Sequence, residues 1–248
     1  MKHLCIYVSL WTLTSSGILA ADLPNPNRSP LPGLNHAERS PISSFFVAPT
    51  RIVWQSEAGV KNANALIAPN AGQAVLKEPQ PPCELTSSSN APAGVLLDFG
   101  RELHGGIEVF TTRTPDPEAL RHVRVRFGES ASEAMSELGG AQNAGNNHAI
   151  RDHVVTLPWL GKQFVGPTGF RFVRIDSVDA NLPLELSQVR AVLQIRDIPR
   201  TGSFKCNDER LNRIWQVGAD TVHLNMQEYL WDGIKRDRLV WIGDMHPE

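Results

Sequence analysis

Residues 229–244 read Tyr-Leu-Trp-Asp-Gly-Ile-Lys-Arg-Asp-Arg-Leu-Val-Trp-Ile-Gly-Asp, gathering three acids, three bases and three aromatics within sixteen positions. Asp237 stands between Arg236 and Arg238, and Asp232 and Asp244 are near enough along the chain to fold back toward it. Carboxylates brought together raise one another's pKa, whereas arginines beside them lower it. A carboxyl kept protonated near neutral pH is what glycoside cleavage asks of its proton donor. Trp and Tyr faces suit the apolar face of a sugar ring. On spacing alone, a solvated, salt-bridged turn between helices is the simpler reading of the same residues.

No competing chemistry is written elsewhere. The chain lacks G-x-S-x-G, G-x-x-x-x-G-K-[ST], H-E-x-x-H and G-x-G-x-x-G. The eight histidines are scattered, and His148 and His153 read as polar loop residues rather than metal ligands. No metal site is expected. Cys83 and Cys206 have neither metal spacing nor a C-x-x-C pattern, so a disulfide and two unpaired thiols both stay open.

The elements that must position the 229–244 cluster come next. Leu211, Trp215, Gly218, Val222 and Met226 recur at three-to-four spacing, behind the capping side chain of Asn207 and the acids Asp208 and Glu209. That pattern predicts an amphipathic helix over 208–229. Such a helix needs a surface to pack on. Before it, short apolar or alternating runs predict strands at 46–54, 73–77, 94–99, 106–111, 122–127, 153–157, 170–175 and 186–195. Val123, Val125 and Phe127 alternate with Arg124 and Arg126, the mark of a half-buried strand. Strands at this spacing without helical periods between them argue for an antiparallel β-sandwich or jelly roll. Stretches 87–92 and 139–147 read as exposed loops.

At the other end, Lys2 and His3 precede an apolar run over 4–13, followed by Ser15-Ser16-Gly17-Ile18-Leu19-Ala20-Ala21. This is the pattern of a secretory signal peptide ending after Ala20 or Ala21, since spanning a bilayer takes about 20 apolar residues. A secreted or periplasmic protein, free of membrane once processed, is expected. Residues 22–44 hold five prolines and few apolar residues and read as an extended leader. Asn27-Arg28-Ser29 fits a glycosylation sequon, a tripeptide frequent by chance. The predicted organisation is thus a signal at 1–21, a leader at 22–44, a mainly β domain at 45–200 and an α-helical segment at 201–248.

The 248 residues carry 24 Lys+Arg against 26 Asp+Glu, a net charge of −2, so a nucleic-acid partner, which needs a basic surplus, is excluded. Hydrophobic content of 41% and charged content of 20% exclude a disordered or fibrous chain.

From Asn207 to Glu248 the sequence resembles the entry to the catalytic domain of bacterial α-L-rhamnosidases, glycoside hydrolase family 78. The family pattern is Asp, four residues, an acid, six residues, Asp; here it reads Asp232, Asp237 and Asp244, with Arg236, Trp241 and Gly243 in register. Upstream, Leu96-Leu97-Asp98-Phe99-Gly100-Arg101-Glu102-Leu103-His104-Gly105-Gly106 and Phe170-Arg171-Phe172-Val173-Arg174-Ile175 are similar to strand motifs of the family's accessory β-domains. The resemblance implies inverting hydrolysis of terminal α-L-rhamnose from glycosides or polysaccharides, without a cofactor. It implies Asp237 as general acid, and Asp232, Arg236, Trp241 and Asp244 as residues that contact the sugar or hold the acid. The middle acid is usually Glu in the family, and the Cys-Pro that often follows the first acid is Gly233-Ile234 here.

Inverting hydrolysis needs a second carboxylate across the sugar, about 6.5–9.5 Å from the acid. In the family that base lies far downstream in an (α/α)6 barrel, of which the 208–229 helix would be the first helix. The expectation is therefore the N-terminal portion of a longer enzyme, inactive as these 248 residues alone. The competing expectation is a non-catalytic carbohydrate-binding β-sandwich.

Overall fold

A computed structural model describes residues 40–77, 80–113, 116–139 and 150–244. The signal-like stretch, most of the leader, the Asn27 sequon, His148 and most of the 139–147 loop lie outside the described residues.

The described residues form nine strands: β1 Ile42–Val47, β2 Arg51–Gln55, β3 Val60–Lys61, β4 Cys83–Leu85, β5 Gly94–Thr111, β6 Arg121–Gly128, β7 Asp152–Leu157, β8 Gly161–Ser177 and β9 Leu184–Arg196. All the pairs between them are antiparallel. The strand order is β3-β4-β9-β5-β8-β6-β7, with β1 added to β9 and β2 to β5. The fold is a mainly antiparallel β-sandwich, as the alternating runs predict.

The long strands β5 and β8 serve both halves of it. Their early pairing runs from Gly94↔Asp176 to Asp98↔Phe172, and their later pairing from Leu103↔Phe170 to Thr111↔Gly161. Between the two, Phe99–Glu102 oppose Arg171 alone, a wide bulge that bends and twists the pair. Gly100 takes φ +81° at its centre, a left-handed conformation open to glycine at little cost. Val95, Leu97, Val123, Val125, Val173 and Ile175 from one half meet Ile107, Val109, Leu186, Val189 and Ala191 from the other in one buried core.

Several predicted elements change. The 46–54 run splits into β1 and β2, because Pro49 offers no N–H to a ladder and the chain crosses from β9 to β5 there. β1 starts at Ile42, so the last residues of the predicted leader are strand. The 73–77 run forms no strand: β9, which runs alongside at Ser187, already pairs with β1, β4 and β5 and has no open edge. Runs 94–99 and 106–111 join into β5 through the bulge, and β8 begins nine residues before the predicted 170. His153 sits on β7 opposite Val125, not in a loop. A short helix α1, Ala131–Met135, capped by the Ser130 hydroxyl, escaped the sequence patterns because one and a half turns leave no periodicity to read.

The predicted amphipathic helix is present as α2, Glu209–Asn225, with the Asp208 carboxylate accepting the Arg210 N–H at its start. It stops four residues short of the predicted 229 because the sandwich holds the chain there. Arg196 Nε donates to the Gln227 carbonyl at 2.8 Å, and the buried Gln227 amide donates to Gln194 and Leu224 carbonyls. Leu211, Ile214 and Val217 stay exposed on α2. A groove of about 720 Å³ runs between α2 and residues 198–202, floored by Trp215, Ala219, Val222 and Met226. Among the described residues no helix is long and apolar enough to cross a membrane.

Candidate active site

After α2 the chain folds into a closed loop. The Asp232 N–H donates to the Leu239 carbonyl at 2.9 Å, and the Asp232 carboxylate accepts the Leu239 N–H at 2.9 Å. Within this loop Asp237 and Arg238 take φ of +61° and +53°, and the Arg238 N–H closes on the Arg236 carbonyl at 2.8 Å. Asp is among the few side chains that tolerate the left-handed region. The Asp237 carboxylate lies 3.7 Å from Arg236 Nε and reaches the surface. The Arg238 guanidinium lies 5.8 Å from the centre of the Trp231 ring. Trp241 and Asp244 form the next turn, closed by the Asp244 N–H on the Trp241 carbonyl at 3.0 Å. Trp241 is 54% exposed and Ile242 is 89% exposed, so this turn presents apolar surface.

The loop rests on the β5 bulge, which the sequence patterns did not connect to it. Arg101 donates to Asp220 of α2 at 2.7 Å. His104 packs edge-on against Trp231, with ring centres 5.3 Å apart. Ile234 is buried against Gly169 of β8, where an added Cβ would come within 2.7 Å of it. Asp98, at the start of the bulge, is almost fully buried and accepts from Arg51, from Arg171 and from the Gly100 N–H. Burial works against its ionisation, but these three donors prevail and hold its carboxyl down at about 2.

Glu102 is a carboxyl that stays protonated near neutral pH. Burial, then the neighbouring Glu129 charge, pushes it up to about 8, despite the opposing charge of Lys235. Burial pushes the His104 imidazole down to about 4, so it is neutral at neutral pH. Of the sequence-predicted residues, the structure unites Asp232, Arg236 and Asp237 in one closed loop and sets Trp241 and Asp244 in the adjoining turn. The residues that sequence reasoning missed, Arg101, Glu102, His104 and Asp220, had one signal: three of the four stand in the Leu96–Gly106 motif. Among the described residues, no three His, Cys, Asp or Glu side chains are grouped to hold a metal.

Residues 199–248 match the family model described as the bacterial alpha-L-rhamnosidase 6 hairpin glycosidase domain. That segment, which holds Asp232, Asp237 and Asp244, is thus similar to bacterial α-L-rhamnosidases. The chain is also similar to an alpha-L-rhamnosidase of Formosa agariphila, at 32% identity over 78 residues, 32% of this chain and 8% of that protein. In fold, the chain is similar to a rhamnosidase from Klebsiella oxytoca with rhamnose bound. The TM-score is 0.58 at 21% identity, covering 82% of this chain and 39% of that one. A GH78 family rhamnosidase of Bacillus sp. GL1 gives a TM-score of 0.51 at 19% identity, covering 73% of this chain and 17% of that one. The chain thus spans less than half of the rhamnosidases it matches.

Proposed function

We propose that this chain supplies the N-terminal, sugar-facing portion of an α-L-rhamnosidase-like glycoside hydrolase, which cleaves terminal α-L-rhamnosides with inversion. The observation that carries the reading is the family match over 199–248, the segment holding Asp232, Asp237 and Asp244 at the family's spacing. In this reading Asp237 protonates the leaving-group oxygen. Asp232 spends one oxygen on the Leu239 N–H and turns the other to a sugar hydroxyl. Arg236 and Asp244 flank the ring, and the exposed Trp241 face receives its apolar side. The ligand is a rhamnose-containing glycoside or polysaccharide. The signal pattern at 1–21 fits a secreted or periplasmic protein.

Amide NMR of the protein titrated with L-rhamnose tests this. Shifts confined to 231–244, including the indole N–H groups of Trp231 and Trp241, are expected, and the D237N variant should still bind. A silent 231–244 segment would sink the reading. An aryl α-L-rhamnoside assayed beside D237N reads the role of the Asp237 carboxyl directly: any turnover by these 248 residues should be lost in the variant.

A second reading, a non-catalytic carbohydrate-binding sandwich, is favoured by one sheet face. Phe46 and Phe164 are exposed there, and the Arg190 guanidinium stacks 3.6 Å from the centre of the Phe46 ring. Rhamnose-induced shifts at Phe46, Phe164 and Arg190, retained in a chain shortened to end near Arg200, would favour it instead.

A further inference from the structure

The Lys235 side chain, in the 232–239 loop, is only 12% exposed, beside an outward-facing Arg236. Its ammonium ion-pairs with Glu133 and lies 3.6 Å from Glu129 Oε2. Glu129 lies just before the short helix α1 and Glu133 within it, and Glu133 is held in place independently of the lysine. Its Oε2 accepts the Glu129 N–H at 2.8 Å, and its own N–H donates to the Ser130 hydroxyl at 3.1 Å. The buried Arg151 lies 3.3 Å from Glu133 Oε1 and donates to the Glu133 carbonyl at 2.8 Å. The socket is therefore built from the sandwich side, with orientation set before the loop arrives. Beside it, the buried Ile234 seats against Gly169, where no Cβ would fit. Charge and apolar contact thus act on adjacent residues, two and three positions before Asp237.

An exposed ion pair would contribute little. This one is mostly withdrawn from water on both sides, with Glu133 at 21% and Lys235 at 12% exposure. Removing one partner from such a pair leaves an uncompensated charge, and that is the costly case. The loop is short and closed at its neck by the Asp232–Leu239 pair, so a shift at Lys235 is passed on to Asp237 rather than absorbed.

We propose that Lys235 is a positioning residue: its ammonium, seated in the Glu129–Glu133 socket of the β-domain, pins the loop that carries Asp237. The inference rests on reading Asp237 as the acid of a rhamnosidase, and its experiment has a separate readout for each. Backbone amide exchange is followed in the 248-residue protein as wild type, K235M and K235R. In K235M, amides of 234–239 should exchange about tenfold faster while those of β5 and β8 keep their rates, and K235R should restore most of the protection. Unchanged exchange at 234–239, or equal acceleration through the whole sheet, would overturn the proposal.

Rhamnose titration is the second arm. If the wild type responds at 231–244, K235M should weaken that response about tenfold and K235R should rescue it; an undiminished response in K235M overturns the positioning role. If exchange behaves as expected and the wild type shows no response to rhamnose, the pin stands and the reading of Asp237 falls.

Discussion

Asp232 and the Leu239 backbone hold each other by two hydrogen bonds of 2.9 Å: the Asp232 N–H donates to the Leu239 carbonyl, and the Asp232 carboxylate accepts the Leu239 N–H. Eight residues, among them Lys235, Arg236 and Arg238, are thereby closed into a loop whose neck is one backbone bond and one side-chain bond. A hydrogen bond to a charged acceptor contributes about 1.5–3 kcal/mol when well buried, and this half-exposed one about 1 kcal/mol. D232A should therefore speed tryptic cleavage after Arg236 and Arg238 about fivefold, with D232N intermediate because its amide oxygen still accepts. Mass-mapped limited proteolysis gives the answer; equal rates in D232A and wild type would mean that the loop closes without this pair.

The left-handed backbone at Asp237 bears on the choice of acid at that position. Asn tolerates this region better than most residues, so D237N should leave the loop as protected as in wild type, and any loss it causes in sugar chemistry belongs to the carboxyl. Glu, the residue more common at this position in the family, lacks the short side chain that eases the conformation. D237E should cost about 1 kcal/mol in loop closure. The same proteolysis assay, comparing D237E with D237N, measures that difference.

Two buried groups under the loop make opposite demands on pH. Glu102 is pushed up from 4.5 to about 8, so the folded chain keeps a proton that the unfolded chain releases; the stability is full below pH 4.5 and falls as pH rises toward 8. His104 is pushed down from 6.5 to about 4, so its contribution is full above pH 6.5 and is lost as pH falls toward 4. Between pH 4.5 and 6.5 the two slopes oppose each other, and above 6.5 only the Glu102 slope remains. Urea unfolding should show stability declining from pH 6.5 to 8 by up to about 1.4 kcal/mol per unit. E102Q, which has no proton to lose, should flatten that limb; a limb unchanged in E102Q would assign it to other groups.

Among the described residues, Cys83 and Cys206 are both free thiols, and their surroundings separate them. Cys83 is fully buried, and burial, with the adjacent Glu84 charge, pushes its thiol up to about 12. Cys206 is half-exposed, its sulfur 3.4 Å from the Asp208 carbonyl. Alkylation at pH 8 should label Cys206 within minutes and leave Cys83 untouched until the chain is unfolded, as peptide mapping would show. A Cys83–Cys206 disulfide peptide in the untreated protein would contradict the structure.

Much of the fold was legible in local patterns, because the signals involved are themselves local. The alternation of Val123, Val125 and Phe127 with arginines placed β6, and the spacing of Leu211, Trp215 and Val222 placed α2. The errors fell where a distant contact overrules a nearby signal. Val75 and Leu76 carry strand-like residues but find no free sheet edge, and α2 ends early because Arg196 takes up the Gln227 carbonyl from across the junction. The candidate site divides the same way. Asp232, Arg236 and Asp237 could be picked out by residue type and spacing, since sixteen consecutive residues held them. Glu102 and His104 could not, since their significance lies in what the bend of β5 brings against residues 231–235.

By itself, then, the sequence determined the strand and helix periods, the run of acids at 232, 237 and 244, and the family that run resembles. Those are properties of neighbours along the chain, written in side-chain type and spacing. Tertiary structure alone decided which carboxyl keeps its proton, which acid becomes a backbone clasp, and what the loop stands on. The clasp needs the turn between Asp232 and Leu239, and the others turn on water excluded and on contacts such as Lys235 with Glu133, 102 positions apart; burial and distance of that kind exist only once the chain has folded.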